Sequence, residues 1–237
     1  MTVLVVEQPN YVPWLGYFDL LDQSDMWVWY DDVQYTRRDW RNRNRVARGG
    51  EPIWLTVPVA SQDHRDKPIC EIEIDHSRLW VRKHLGVLKH FYRSAPFFGP
   101  VFELVQNHVE QAPPLLADFT IGLNEDLCSL MGIETQLFRS SRMSGLEGAK
   151  ERRILAICRQ LRPSTYLSGP AARSYLEAGT FERKGIALRY ISYGYEEYPR
   201  SGFSPRTDLS VLDALFWIGP SATLELIRRG RAEAPAQ

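Results

Sequence analysis

The chain has 237 residues, 44% of them apolar and 24% charged, with 29 Lys+Arg set against 29 Asp+Glu. These proportions are ordinary for a globular protein and exclude a disordered or collagen-like chain. The zero net charge argues against a dedicated polyanion binder and leaves local patches to be judged singly. Three widely spaced cysteines, Cys70, Cys128 and Cys158, fit neither a disulfide framework nor a zinc spacing and point to a reducing compartment.

The first residues carry no basic n-region or cleavable apolar stretch. No apolar run approaches the roughly 18 residues of a membrane span, so a cytoplasmic protein is the expectation. Val3 to Val6 reads as a buried strand. Pro13 opens a helix bearing Tyr17, Phe18, Leu20 and Leu21, and Met26 to Tyr30 reads as a second strand. This β-α-β start favours a parallel sheet with a right-handed crossover. Ile53 to Val59, broken by Pro58, reads as an edge or hairpin strand, and Ile72 to Ile74 as another short one. Trp80, His84, Leu85, Leu88 and Phe91 share one helical face, with His84 in the core and His90 outside it. Helices are expected over 101–111 and 115–131, the second ending at Gly132, then a strand from Thr135 to Phe138. Ser144 and Glu147 match a capping box for a helix bearing Ile154, Leu155, Cys158 and Leu161. A strand at Thr165 to Leu167 runs into Ser168-Gly169-Pro170 and a short helix to Leu176. A strand at Ile186 to Ile191 and a helix from Leu209 to Ile218, capped by Asp208, close the chain. The expected fold class is α/β: a Rossmann-like, mostly parallel sheet flanked by helices, with a helical insertion at about 76–131. It forms one domain over 1–230, and the Ala/Pro/Glu-rich end at 231–237 is frayed.

Three stretches concentrate polar residues where a parallel sheet binds ligands, at strand ends followed by helix starts. The first is Gln8 to Asp19, in which Gln8, Asn10 and Tyr11 offer directional hydrogen bonds. Pro9, Pro13, Trp14 and Tyr17 serve equally well to shape and pack a turn. The second begins Tyr30-Asp31-Asp32-Val33-Gln34-Tyr35. Paired aspartates at a strand end suit a catalytic base or contact with Mg²⁺ carrying a nucleotide. It continues through Arg37, Trp40, Arg41, Asn42, Arg43 and Asn44; from Thr36 to Arg48 there are six Arg and one Asp, a local charge of +5. Arginine grips phosphate or carboxylate with two prongs, and Trp40 can stack on a base or sugar. A solvated loop with Arg paired to Asp is the bland alternative. The third is Ser164 to Arg173, where Ser168 and Gly169 let a ligand approach the backbone. The five His and three Cys show no metal-ligand spacing, and neither a nucleophile elbow nor a Gly-rich phosphate loop occurs.

Together these stretches resemble the WbqC-like family of bacterial proteins. The likeness rests on Gln8 to Phe18, Tyr30 to Tyr35 with Asp39 to Asn44, Trp54 to Val59, Tyr166 to Pro170 and Leu209 to Asp213, and reaches about Gly219. The resemblance implies a place in surface-polysaccharide, including O-antigen, or natural-product biosynthesis. It also implies transfer of an activated acyl or aminoacyl group to an amine or amino sugar, with aminoacyl-tRNA among the donors. In that setting Asp31 or Asp32 is the expected base or metal contact. Arg37, Arg41 and Arg43 would hold donor phosphates, and Gln8, Asn10 and Tyr11 would orient substrate. Two alternatives stay open. One is an ATP-dependent adenylating ligase, since the order of elements is similar to the start of HIGH-type nucleotidylyltransferases, although Trp14-Leu15-Gly16-Tyr17 lacks their paired His. The other is a non-catalytic sugar-nucleotide or glycan binder built on Trp14, Tyr17, Tyr35 and Trp40.

Overall fold

A computed structural model describes residues 1–48, 51–60, 66–200 and 207–231. Five short strands form one parallel sheet: β1 (Val3–Glu7), β2 (Met26–Trp29), β5 (Gln136–Arg139), β6 (Thr165–Ser168) and β7 (Ala187–Tyr190), in the order β5-β2-β1-β6-β7. Side chains alternate across the sheet with period two. Val5, Trp27 and Trp29 join one apolar core with α1 (Leu15–Asp22), α4 (Leu116–Met131) and α7 (Val211–Arg229). Leu4, Val6, Met26, Val28 and Tyr166 join a second with α5 (Glu151–Leu161) and α6 (Ala178–Glu182). Both faces are covered, as an α/β sheet requires.

Between β2 and β5 the chain adds an antiparallel hairpin, β3 (Arg43–Arg48) and β4 (Glu51–Thr56), and the helices α2 (Trp80–Tyr92), α3 (Phe98–Glu110) and α4. The expected helical insertion is present. Its third helix, α4, is also the crossover to β5, and ends at Gly132 with φ +77. The second half of the arginine run is therefore a strand. Its alternation makes the reason visible: Asn44 and Val46 point inward while Arg43 and Arg45 point outward.

Several local expectations need correction. Ile72 to Ile74 forms no strand; it follows a 3-10 turn (Ile69–Glu71) and makes only single bridges, Glu73 with Leu115 and Ile74 with Val59. The Ser144–Glu147 capping box is not formed. Gly145 and Gly148 take φ of +67 and +84, which breaks the backbone path the box needs, and α5 starts at Glu151. The segment after Gly169 is a 3-10 turn, Pro170–Ser174. The last helix is capped by Ser210 Oγ, which accepts from Leu212 N, while Asp208 pairs with Arg45. That helix runs on to Arg229 with a break at Gly219, where φ is +79 and a Cβ would sit 2.6 Å from the Phe97 ring. Arg231 is anchored by Asp19 and Asp22, so fraying does not begin there; 232–237 lie outside the described residues.

Candidate functional site

With β1 central, the chain leaves its carboxyl end through α1 toward β2 and later returns through α5 to β6 on the other side. The crevice between the ends of β1 and β6 is thus the topological switch point, the usual ligand position in such sheets. Glu7 is the last residue of β1 and stands in that crevice. Across from it lies Gly169, whose missing Cβ would sit 4.0 Å from Glu7 Oε1 and 3.7 Å from the Tyr193 hydroxyl. Burial raises the Glu7 carboxyl to about 7. The nearby Arg41 guanidinium and the Gln8 backbone pull in the other direction without prevailing. A carboxyl that is half-ionised near neutrality can take up or give up a proton. The same burial, with Glu7 close by, pushes the Tyr193 hydroxyl up, so it stays a donor. Sequence reading passed over Glu7, which looks like the exit of an apolar strand; the signal was a lone acid ending an otherwise apolar run.

Asp31 and Asp32 follow the end of the neighbouring strand β2 and behave differently. Asp31 is fully buried, and its oxygens accept from Arg139 Nε (2.8 Å), Ser141 Oγ (2.8 Å) and Ser141 N (2.9 Å). Arg139 also pairs with Asp118 of α4. Asp32 accepts from Ser140 Oγ at 2.6 Å and pairs with Arg153 of α5. The two aspartates thus clamp the ends of β2 and β5 to α4 and α5. Their oxygens meet guanidinium and hydroxyl groups, not an open ligand set suited to Mg²⁺. Among the described residues no group of three or more His, Cys, Asp or Glu is arranged to hold a metal ion.

The first two sequence stretches meet in space. Tyr11 N donates to Trp40 O at 2.9 Å, and Arg41 Nε donates to Gln8 Oε1 at 2.6 Å. Asn44 Nδ2 donates to Tyr11 O and Val12 O, while Asn42 Nδ2 donates to Val57 O, so both asparagines brace backbone. Tyr11 and Tyr17 are buried and leave the ligand face. Tyr11 donates to His84 Nδ1 (2.9 Å) and Tyr17 to Gln8 O (2.8 Å). His84 Nε2–H meets the Thr56 carbonyl, and burial holds this neutral core histidine down at about 4. His90 is exposed as expected.

Two cavities flank this junction, each of about 340 Å³. The first is walled by Asn10, Pro13, Trp14, Trp40, Asn44 and Arg45, with Asp208 at its side. Trp14 folds over Gly16, where a Cβ would collide with the indole, and packs edge-on against Tyr193 at 4.8 Å. The second cavity gathers Arg37, Arg38, Arg43 and Arg78 around Tyr35 and Asn42. On the hairpin face Arg43 lies 4.3 Å over the Trp54 ring, which in turn neighbours Trp40 at 5.4 Å. Gln34 is exposed and bridges to Pro68, away from both cavities' walls. Ser168 is buried beneath the crevice.

The WbqC-like protein family matches residues 8–225. The uncharacterized protein Rv1507c of Mycobacterium tuberculosis (strain ATCC 25618 / H37Rv) is 36% identical over 226 residues, covering 94% of this chain and 96% of that protein. No solved structure matches.

Proposed function

The chain belongs to the WbqC-like protein family, and from that premise we propose that it transfers an activated acyl or aminoacyl group to an amine. The pathway we assign to it is surface-polysaccharide or natural-product biosynthesis, with an amino sugar or related amine as acceptor. The observation that carries the reading is Glu7: a carboxyl held near 7 by burial, at the switch point, beside a glycine gap. The amine nitrogen attacks the donor's carbonyl carbon, and the N–C bond forms as Glu7 takes the amine proton. The bond from the carbonyl carbon to the leaving group then breaks, and Glu7 returns the proton to that group. One amide and one protonated leaving group result, and Glu7 is unchanged.

The remaining residues position the two substrates. The cavity of Asn10, Trp14 and Trp40 offers indole faces to an ammonium or a sugar ring. Arg37, Arg38, Arg43 and Arg78 supply a cationic cradle for a donor carrying phosphate. Gln8 and Arg41 tie the Glu7 turn to that hairpin. In this reading Asp31 and Asp32 position the strand ends. The test is mass-spectrometric detection of the amide from an amino sugar with acyl-CoA or aminoacyl-tRNA, with and without ATP. Amide formed by the wild type and lost in Glu7→Gln is the expected result. Equal product from the variant would remove Glu7 from the chemistry, and an ATP requirement would move the assignment to an adenylating ligase.

A further inference from the structure

The neutral total charge conceals a strong asymmetry. Residues 139–189 hold eleven Lys+Arg and four Glu, a net +7 balanced by −7 in the rest of the chain. This segment comprises α5, β6, α6 and all but the last residue of β7, together with the last residue of β5. Along α5 it forms an open groove of about 550 Å³, lined by Arg152, Arg159, Arg162 and Lys184 with one acid, Glu147, over a floor that includes Leu155 and Ile186, a net +3. All four cations are exposed, and none has an acidic partner among the described residues. Elsewhere the guanidiniums of Arg139, Arg153, Arg228 and Arg231 are consumed by aspartates. The groove therefore carries charge that the fold itself does not use.

The spacing narrows what fits. Arg152 and Arg159 lie seven residues apart on α5, about 10 Å along the helix. Arg162 and Lys184 extend the row past its end. A single phosphate or carboxylate reaches one or two of these groups, whereas a repeating polyanion reaches all of them. The neighbouring residue Arg153 pairs with Asp32 just past the carboxyl end of β2, so the row begins beside the carboxyl ends of the strands and runs along α5 toward the amino ends of β6 and β7. We propose that this groove docks the phosphate backbone of an RNA whose terminus is thereby presented to the crevice. The inference rests on the acyl-transfer reading and deepens it: the donor is an aminoacyl group carried on RNA, whose backbone is held on α5 in addition to the hairpin cradle.

The experiment is fluorescence anisotropy with unfractionated deacylated tRNA between 50 and 200 mM KCl. It compares the wild-type chain with the triple variant Arg152→Gln/Arg159→Gln/Arg162→Gln. The expected result is at least a tenfold loss of affinity at low salt. The slope of log affinity against log salt should also fall by about two to three, since each phosphate contact contributes about 0.7 to 0.9 to it. Glu7→Gln should bind the RNA as the wild type does. Absence of tRNA binding at 50 mM KCl, or equal binding by the triple variant, overturns the inference. So does pyrophosphate or coenzyme A occupying the groove while tRNA does not. RNA binding in the groove by a protein that forms no amide would leave the docking surface standing and overturn the acyl-transfer reading. Amide formation from acyl-CoA without RNA binding would do the reverse.

Discussion

Glu7 ends one strand of the sheet and the Asp31/Asp32 pair follows the end of its neighbour, yet they meet opposite surroundings. Asp31 is buried deeply and compensated by a guanidinium, a hydroxyl and a backbone N–H. Glu7 is partly buried beside tyrosines, a glycine and an arginine that is shared with Asp39 and Gln8. Desolvation without full pairing raises a carboxyl, and full pairing fixes one. The comparison teaches that acids at a strand end divide by their partners and not by their position. A clamp and a proton carrier can sit one strand apart.

The comparison breaks first on activity. Glu7→Gln should cost between about 10² and 10⁴ in kcat, the usual worth of a general base, in a steady-state assay of amide formation. Asp32→Asn should keep most of its turnover; the opposite pattern between these two variants would invert the assignment. Stability should show the mirror image. Asp31→Ala leaves Arg139 short of a buried partner and should destabilise by about 3–5 kcal/mol in urea unfolding, while Glu7→Gln should not destabilise at pH 7.

pH sharpens the contrast further. Glu7 keeps its proton in the fold up to about 7 but loses it near 4.5 when unfolded. The unfolded chain therefore binds fewer protons across that window, and stability falls as pH rises through it, by at most about 3 kcal/mol. His84 works the other way. The unfolded chain binds its proton below 6.5, while the fold refuses it down to about 4, so stability falls as pH drops through that range. The two slopes oppose each other in the wild type between about 4.5 and 6.5. Removing Glu7 should expose the His84 slope, so Glu7→Gln should be distinctly more stable at pH 7 than at 4.5 by denaturant titration. The smallest effect expected is that of Gly16→Ala. It drives a methyl into the Trp14 indole and should cost about 1–3 kcal/mol, with a rise in KM for the amine.

Much of the architecture was legible along the chain. Val3 to Val6, Met26 to Tyr30 and Thr165 to Leu167 are short apolar runs separated by helical periodicity, which is the signature of a parallel sheet. The strand order was not legible, because pairing β1 with β6 is a contact between residues about 160 apart. Without that order Glu7 reads as a strand exit, and its place at the switch point cannot be seen. The partners of Asp31 were hidden for the same reason: Arg139 and Ser141 follow it by more than a hundred residues. Asn42, Asn44, Tyr11 and Tyr17 read as ligand contacts because their types suit that task. The Tyr11 and Tyr17 hydroxyls are spent on His84 and the Gln8 carbonyl, whereas Asn42 and Asn44 brace backbone carbonyls and still line the two cavities. Asn10, Trp14, Trp40 and the arginines of the hairpin were placed on cavity walls by the fold, and those assignments carry the proposed site.

The central claim is that burial holds one strand-end carboxyl near neutrality while its neighbours are paired. Selective ¹³C labelling of glutamate side chains, with Glu7→Gln to assign the resonance, allows that carboxyl to be titrated directly by NMR without knowledge of the substrate. The account predicts a midpoint near 7 for Glu7. A midpoint near 4.5, the ordinary glutamate value, would contradict it and leave the crevice without its proton carrier.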